Sequence, residues 1–449
     1  MIKSYQQIIL AILLPTCWVG CTNNQDEPTS STTNYGDDSS DFVDEQTWNT
    51  TIQLVWNGTE VIVIGVADSV TVTNDNGYVT VNSSAKHVEY AVSGNGTGQL
   101  SLYSSYKFKL SLNGLTLHCS NGPAINNQGK KTCYVVLSGD NVLSDAASYA
   151  SSSDEDRKAA FFSEGQLAIS GDGSLTVIGN YKHALASDDY IRFCEGTGNI
   201  NLTATVKDGI HANDGVIING GTITVHAAYE GIECNENSVV ITGGIVYIEA
   251  SDDAINAAGE MIISGGHVMA YSTGNDGLDA NGNCYITGGV VYAIGASAPE
   301  VAIDANTEGG YKLYVEGGTI VALGGLESGS SLAQSCYAAA SVSKDTWYAL
   351  YNGNDVALVF KTPAKVNAST LVVSTSDTPV LKSGVTTEGG NTILNGYGLT
   401  SATVSGGSEV SLSSYTGGNA GGGPGDGGPG GGDPGGGGPG GGGPGGERH

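Results

Sequence analysis

A short strand-like unit recurs through the middle of the chain. Its clearest copy, DGIHANDGVIINGGTITVHA at residues 208–227, alternates apolar and polar residues and contains no aromatic residue, Lys or Arg. Each later copy opens on an acid and carries a glycine pair. The pairs are Gly220-Gly221, Gly243-Gly244, Gly265-Gly266, Gly288-Gly289 and Gly317-Gly318, at spacings of 23, 22, 23 and 29 residues. A short, regular period of this kind predicts a stack of repeated structural units.

Each unit contains three short apolar runs. In the first copy they lie at residues 209–212, 216–218 and 223–225, on either side of tight turns. A helical solenoid needs runs of about ten or more residues with a 3.6-residue period, and a propeller blade needs about 40 residues and four strands. Three short strands per unit therefore predict one coil of a single-stranded parallel β-helix, an all-β fold.

In such a helix, equivalent residues of successive coils form columns about 4.8 Å apart. Alternation along the third strand predicts an inward and an outward side. The predicted core residues are Ile223, Val225, Val246, Ile248, Val268, Ala270, Val291, Ala293, Ile320 and Ala322. The outward side carries Tyr247, Tyr271 and Tyr292. These tyrosines fit two interpretations: an exposed surface that stacks on sugar rings, or a face covered by residues 345–412, which alternate like an antiparallel β unit.

The acids also fall into columns. One column opens the units, and a second lies three residues later, where Asp304 continues it by one coil. Residues 208–311 contain fourteen acids and no Lys or Arg. Two carboxylates about 4.8 Å apart repel by roughly 3 kcal/mol at an effective dielectric constant near 20, and Ca²⁺ prefers carboxylate and amide oxygens. The predicted Ca²⁺ ligands are Asp208, Glu230, Glu233, Asp252, Asp253, Asp276, Asp279 and Asp304.

The alternative is that these residues are structural. Asp and Asn before Gly are common turn residues that bond to nearby backbone, and an Asn column can form a ladder of hydrogen bonds. His211 is predicted to be an exposed member of its column rather than a metal ligand.

Charge excludes one class of partner. The 449-residue chain has a net charge of −28 and only 17 Lys and Arg residues, whereas nucleic-acid binding needs a basic face. Six of the eight cysteines lie beyond residue 100 without a CxxC pair. They are predicted to be small buried strand residues, with a Cys119–Cys133 disulfide as the alternative in an exported protein.

The two ends of the chain differ from the repeats. Lys3, a short apolar run and Gly20-Cys21 resemble a bacterial lipoprotein signal, which predicts cleavage after residue 20 and lipidation of Cys21. By resemblance to Gram-negative lipoproteins, this start implies the outer membrane and the cell surface. Residues 21–47 are predicted to be a flexible tether. The Gly/Pro-rich residues 413–449 are predicted to be a disordered tail.

The units DGIHANDGVIINGGTITVHA, EGIECNENSVVITGGIVYIEA and DGLDANGNCYITGGVVYAIG resemble the bacterial carbohydrate-binding domain proteins. The resemblance spans about residues 50–412. It implies a right-handed, calcium-binding parallel β-helix related to calcium-dependent pectate lyases. It also implies binding of cellulose and acidic pectic polysaccharide. On this basis residues 48–340 are assigned to the β-helix and residues 341–412 to a β cap or accessory unit.

Three classes of function remain open. A lyase acting on acidic polysaccharide needs a base. Lys207, which precedes Asp208 at the start of the regular units, is the candidate for this role. An exposed Lys beside an acid is more commonly a solvated ion pair. A structural stalk or adhesin is a further alternative. The sequence favours non-catalytic, calcium-dependent polysaccharide binding, and it leaves the oligomeric state open.

Overall fold

The computed structural model describes residues 42–151, 155–339 and 341–417. The predicted signal peptide, Cys21, most of the tether and the tail beyond residue 417 lie outside the described residues. Regular structure in the described part is β-strand, apart from three 3₁₀ helices at Val43–Glu45, Thr307–Gly309 and Leu394–Gly396. Within these residues no helix has the length and apolar character to span a bilayer.

The strands follow one another closely along the chain. The first sixteen are β1 (Thr50–Gly58), β2 (Glu60–Ile64), β3 (Val70–Asp75), β4 (Tyr78–Ser83), β5 (Val88–Thr97), β6 (Gln99–Ser104), β7 (Phe108–His118), β8 (Ile125–Asn127), β9 (Cys133–Ser138), β10 (Asp140–Ser144), β11 (Ala159–Ser163), β12 (Leu167–Ser170), β13 (Ser174–Gly179), β14 (His183–Ser187), β15 (Tyr190–Phe193) and β16 (Asn199–Ala204). The next fourteen are β17 (Ile210–Ala212), β18 (Gly215–Ile218), β19 (Thr222–Ala227), β20 (Ile232–Cys234), β21 (Ser238–Ile241), β22 (Ile245–Ala250), β23 (Ile255–Ala257), β24 (Met261–Ile263), β25 (His267–Ser272), β26 (Leu278–Ala280), β27 (Cys284–Ile286), β28 (Val290–Ile294), β29 (Leu313–Val315) and β30 (Thr319–Leu323). The last ten are β31 (Ser331–Leu332), β32 (Cys336–Ala339), β33 (Trp347–Asn352), β34 (Asp355–Lys361), β35 (Leu371–Ser374), β36 (Pro379–Glu388), β37 (Asn391–Ile393), β38 (Gly398–Thr400), β39 (Thr403–Glu409) and β40 (Ser413–Tyr415).

The middle of the molecule is a parallel β-helix, as predicted. Each coil contributes one strand to a ten-stranded sheet and two to a 24-stranded sheet, and strands of successive coils pair in parallel. In the ten-stranded sheet Ile210 pairs with Ile232, 22 residues later, and Leu278 forms a parallel bridge to Ile303, 25 residues later. These offsets confirm the coil length expected from the sequence.

The glycine pairs have a steric cause. The second glycine of each pair has a positive φ, for example +79° at Gly266, where an L side chain is strained. A Cβ on the first glycine would meet the coil below: at Gly265 it would lie 2.1 Å from the carbonyl oxygen of Thr242. The turn between the second and third strands therefore requires glycine at both positions.

The interior of the coils is an apolar core. All ten residues predicted to point inward from the third strand are buried in one cluster. Ile223, Val246 and Val291 are each 0% exposed, which confirms the predicted register. Six cysteines, from Cys119 to Cys336, are buried and free, so they act as small apolar residues.

The two ends of the helix are less regular. At the N-terminal end β1–β2 and β3–β4 are antiparallel hairpins, and parallel pairing starts at β1–β5. At the C-terminal end β35 pairs antiparallel with both β30 and β32, and β40 pairs with β32. The prediction of a disordered tail from residue 413 is therefore wrong for Ser413–Tyr415, which form a strand because they pair with β32.

The C-terminal unit forms its own antiparallel sheet. Its six strands have the order β37-β38-β34-β33-β36-β39. This six-stranded sheet packs on the outward side of the third strands, in a second apolar cluster that includes Tyr292 and Phe360. Their rings lie 5.1 Å apart in an edge-on arrangement.

This packing corrects the predicted sugar-binding tyrosines. Tyr247, Tyr271 and Tyr292 are only 2%, 4% and 0% exposed. The hydroxyls of Tyr271 and Tyr292 donate hydrogen bonds to the carbonyl oxygens of Lys365 and Lys361, both at 3.1 Å. The tyrosines therefore anchor the C-terminal unit and offer no exposed stacking surface. Of the two interpretations, the covered face is the observed one.

Candidate functional site

The acids that open the coils form a continuous column before the first strand. Backbone N–H groups donate from Gly209 to the carbonyl of Glu230, from Gly231 to Asp253 and from Ala254 to Asp276. These bonds place Asp208, Glu230, Asp253 and Asp276 directly above one another. The structure thus brings together the four acids that the repeat predicted to align.

Carboxylates of this column also bind the backbone of the next coil. The Oδ1 atom of Asp253 accepts from the N–H of Asp276 at 2.8 Å, and Oδ1 of Asp276 accepts from the N–H of Val301 at 2.6 Å. Asp208 makes the same contact with the N–H of Glu230 at 3.3 Å. One oxygen of each of these three carboxylates therefore has a structural role. This agrees in part with the alternative interpretation, in which the acids are residues that bond to nearby backbone.

A second column lies on the outward side of the ten-stranded sheet. Strand register aligns His211, Glu233, Asn256 and Asp279. Parallel bridges from Leu278 to Ile303 and from Ile303 to Leu326 continue the stack by two coils. The residues that follow these bridged positions, Asp304 and Glu327, therefore extend the column. Sequence reasoning missed Glu327, because no acid opens its coil and no glycine pair follows it at the regular distance; its 23-residue offset from Asp304 signals the position.

The remaining predicted ligand stands apart from both columns. Asp252 is partly exposed, and its Oδ1 accepts from the side-chain amide of Asn275 at 2.9 Å. Asp208, Glu230 and Glu233 offer carboxylate oxygens that all lie within 4.8 Å of one another. The described residues thus contain one tight group of predicted ligands, and Asp276, Asp279 and Asp304 continue along the columns beyond it.

Burial and mutual repulsion make these carboxylates hard to ionise. Glu230, Asp253 and Asp276 are 5%, 3% and 7% exposed. Burial, with the neighbouring charges of Glu233 and Asp208, raises the pKa of Glu230 to about 8. Burial with nearby Asp279 raises the pKa of Asp253 to about 7.

The same effect continues along both columns. Burial and the charge of Asp253 raise the pKa of Asp276 to about 8. Burial and the contact with Glu327 raise the pKa of Asp304 to about 8. Burial followed by the charge of Glu300 also raises the pKa of Asp279. At neutral pH a bound cation would favour the ionised forms of these groups.

Glu230 supplies a direct observation that fits a cation. Its Oε1 accepts from the side-chain amide of Asn256 at 3.3 Å, whereas its Oε2 is buried and has no hydrogen-bond partner. A buried polar atom without a partner is costly. The surrounding donors are carboxylate and amide oxygens, which are the ligands that Ca²⁺ takes. The residues present therefore fit a hard divalent cation.

Two histidines, His183 and His211, lie at the N-terminal end of the acid columns. His211 is buried, which corrects the prediction of an exposed residue, and its Nδ1 lies 2.7 Å from Oε2 of Glu233 and 3.1 Å from Oδ2 of Asp208. Burial alone would lower the pKa of His211, but the contacts with Asp208 and Glu233 raise it to about 9. His183, which the sequence did not single out, precedes Ala184-Leu185 as Asp208 precedes Gly209-Ile210.

Lys207, the candidate base, lies at the surface. Its Nζ lies over the ring of Tyr229, 4.0 Å from the centroid, and both side chains are exposed. The contact is a surface cation–π pair.

A different pair of tyrosines is partly exposed. Tyr285 and Tyr314 lie on the outward side of β27 and β29, in register, with ring centroids 4.8 Å apart and ring planes at 11°. Partly exposed Val240 and Ile262 extend the same column. The sequence signal was the alternation in CYI and LYV, where only the middle residue points outward.

The chain is similar to a known protein family and to a solved structure. No curated protein matches the chain. A solved structure that is similar is a polysaccharide lyase-like protein from C. thermocellum, a gadolinium derivative, with 26% sequence identity and a TM-score of 0.45 over 54% of this chain and 96% of that chain. The family model described as carbohydrate-binding domain-containing protein matches residues 75–328, more than half of the chain. This protein therefore belongs to the carbohydrate-binding domain-containing family.

Proposed function

We propose that the protein is a calcium-dependent, non-catalytic polysaccharide-binding protein of the cell surface. Its family supports polysaccharide binding. The observation that carries calcium dependence is the pair of stacked acid columns, which lie in a segment, residues 208–311, with fourteen acids and no Lys or Arg.

Ca²⁺ would be held by carboxylate oxygens of consecutive coils. Glu230 is the central ligand in this proposal, because its Oε2 is buried without a partner and lies close to Glu233 and Asp208. Asp253, Asp276, Asp279 and Asp304 would serve equivalent positions farther along the columns. When bound, Ca²⁺ supplies positive charge that a uronate carboxylate can share with the protein. Without such a bridge, a chain of charge −28 repels an acidic glycan.

Neutral sugars need a different surface. The partly exposed column of Val240, Ile262, Tyr285 and Tyr314 combines apolar area with two hydroxyl groups. Sugar rings bind to such mixed surfaces through their C–H faces and their hydroxyls. We assign this column, rather than the buried tyrosines, to contact with the polysaccharide.

Glycan binding with and without a calcium chelator tests the proposal. Binding to polygalacturonate is expected in excess Ca²⁺ and lost in EGTA, without a rise in absorbance from unsaturated product. The variant Tyr285→Ala/Tyr314→Ala is expected to weaken binding of neutral glycans severalfold, since each aromatic contact contributes about 0.5–1.5 kcal/mol by analogy with aromatic pairs. Tyr311→Ala, an exposed tyrosine outside the column, is the matched control.

Two outcomes contradict the proposal. Equal binding of polygalacturonate in Ca²⁺ and in EGTA would remove the role of calcium. Unsaturated product that disappears in Lys207→Ala would make the protein a lyase.

Attachment to the outer membrane is a separate part of the proposal. It rests on the lipoprotein-like start, with Cys21 as the lipidated residue. Cys21→Ala is expected to abolish labelling by a fatty-acid analogue and to release the protein in soluble form. Unchanged membrane retention of that variant would contradict the anchor.

A further inference from the structure

The N-terminal end of the acid column has a different chemistry from the rest. Backbone bonds from Ala184 to Asp208 and from Gly209 to Glu230 place His183 one coil before Asp208 in the same column. The imidazoles of His183 and His211 stack with centroids 4.1 Å apart and ring planes at 29°. Two nitrogen ligands thus meet the first carboxylate of the column.

These three side chains converge on one point. Nδ1 of His183 lies 2.9 Å from Oδ2 of Asp208, and Nδ1 of His211 lies 3.1 Å from the same oxygen. One ligand atom from each of the three residues lies within 4.8 Å of the others. All three residues are buried: His183 is 6% exposed, Asp208 0% and His211 8%.

His183 provides the independent sign of a missing ligand. Although its Nδ1 is close to Asp208, the angle does not make a hydrogen bond, so this buried nitrogen has no hydrogen-bond partner. A buried ring nitrogen that faces a carboxylate without a hydrogen bond, beside a second imidazole stacked on its ring, favours a metal ligand over a structural histidine.

We propose that His183, Asp208 and His211 form a binding site for a borderline divalent transition metal such as Zn²⁺, which adjoins the group of Asp208, Glu230 and Glu233 and shares Asp208 with it. Zn²⁺ takes histidine nitrogens together with carboxylate oxygens, whereas Ca²⁺ takes oxygen ligands. Three protein ligands leave a fourth position for water or for an oxygen of a bound molecule. The inference does not depend on the proposed function, although Asp208 is also a predicted calcium ligand.

Neighbouring residues are suited to support this site. Glu233 lies 2.7 Å from Nδ1 of His211, and the side-chain amide of Asn235 lies 3.1 Å from Nε2 of the same ring. With Nδ1 of His211 as the ligand atom, the contact of Asn235 at Nε2 orients the imidazole for the metal.

Titration of the full chain with Zn²⁺, and with Co²⁺ as a spectroscopic probe, tests the site. The solution contains excess Ca²⁺ throughout, so that the acid columns are saturated and a failure of this inference is distinct from a failure of the calcium proposal. One equivalent of Zn²⁺ is expected to bind, and Co²⁺ is expected to give visible absorption bands. His183→Gln and His211→Gln should each lower the Zn²⁺ affinity at least about tenfold.

His226→Gln is the matched control. His226 also faces a carboxylate, Glu249 at 3.3 Å, but both side chains are about 40% exposed, and among the described residues its ring contacts Tyr247 rather than a second imidazole. Its substitution is expected to leave Zn²⁺ binding unchanged. Equal Zn²⁺ affinity in the wild type and in both glutamine variants would overturn the inference, as would displacement of Zn²⁺ by Ca²⁺.

Diffraction from the wild-type protein keeps the test independent of whether the variants fold. Crystals grown in Ca²⁺ and soaked in Zn²⁺ are expected to show an anomalous peak at the zinc absorption edge among His183, Asp208 and His211. A map with no peak there would overturn the inference.

Discussion

At the scale of single residues, an acid of the first column provides both a hydrogen-bond acceptor and a negative charge. In Asp276 the Oδ1 atom accepts from the N–H of Val301 at 2.6 Å, which ties one coil to the next. Its charge, in contrast, is unfavourable beside Asp253, and burial raises its pKa to about 8. Asparagine keeps the acceptor oxygen and removes the charge, so the two functions are separable.

Asp276→Asn is predicted to change stability in opposite directions with and without calcium. In EDTA at pH 8 the variant should have a higher Tm than the wild type, because a buried charge is removed while the hydrogen bond to Val301 is kept. In excess Ca²⁺ it should bind calcium more weakly and gain less in Tm. Thermal denaturation and calcium titration at pH 8 measure both effects.

Glu316→Gln is the control for this experiment, because Glu316 is an exposed acid in the same part of the molecule. It is expected to change neither quantity. Loss of stability in Asp276→Asn under both conditions would mean that the acid is purely structural.

The raised pKa values predict how the calcium-free protein responds to pH. Glu230, Asp253 and Asp276 have folded-state pKa values of about 8, 7 and 8, against about 4 in an unfolded chain. The folded state therefore binds more protons than the unfolded state between these values. The contribution of these three groups to the free energy of unfolding is therefore fully present below about pH 4, and it is lost as the pH rises to about 8.

Denaturation in EDTA between pH 5 and pH 9 checks this prediction. The free energy of unfolding should decrease across that range, and excess Ca²⁺ should largely abolish the decrease. A free energy that rises with pH in EDTA would show that the acids are ionised without a cation.

At the scale of strands and turns, the repeat predicted most of what is observed. Alternation placed Ile223 and Val246 inside, and the glycine pairs marked the five turns between second and third strands from β18 to β30. Local rules suffice there because each coil repeats the same contacts. They could not show what covers the outward face of the third strand, since that depends on the packing of residues more than 60 positions away, such as Phe360 against Tyr292.

The turn glycines give a prediction at this scale. Gly266→Ala should lower the free energy of unfolding by about 1 kcal/mol or more, because φ is +79° and a Cβ would lie 2.7 Å from the carbonyl oxygen of Gly243. Gly310→Ala is a matched comparison, since its φ is +89° but nothing lies within 4 Å of a Cβ. Chemical denaturation of both variants separates the backbone strain from the steric clash. An equal loss of unfolding free energy in the two variants would mean that contact with the stacked coil adds nothing at Gly266.

At the scale of the whole molecule, the C-terminal unit is bound to the β-helix through the tyrosines that the sequence left ambiguous. The hydroxyl of Tyr292 donates to the carbonyl of Lys361, and the same ring contacts Phe360. Similarly, sequence reasoning aligned the acids within the regular coils but missed His183 and Glu327 at either end. Both lie where the motif changes, although backbone pairing continues the columns.

Tyr292→Phe should therefore affect stability and leave sugar binding unchanged. Removing the hydroxyl leaves the carbonyl of Lys361 without this donor and is expected to cost about 1 kcal/mol. Denaturation and glycan binding of the variant measure the two effects. Weakened glycan binding without a loss of stability would instead show that the tyrosine face is part of the binding site.

Calcium is predicted to stabilise the molecule as a whole, because the acid columns run across several coils and a cation bound between coils ties them together. A ligand that binds only the folded state adds RT ln(1 + [L]/Kd), about 2.7 kcal/mol at a hundredfold excess over Kd. The Tm should rise with Ca²⁺ concentration and return to its starting value in EDTA. Mg²⁺ at the same ionic strength is the control for screening, and it should stabilise less because it requires near-ideal octahedral geometry and gives up its water reluctantly. If Tm is identical in EDTA and in excess Ca²⁺, the columns are hydrogen-bonded turn residues that hold their protons, and the raised pKa values of Glu230, Asp253 and Asp276 describe the working state of the protein.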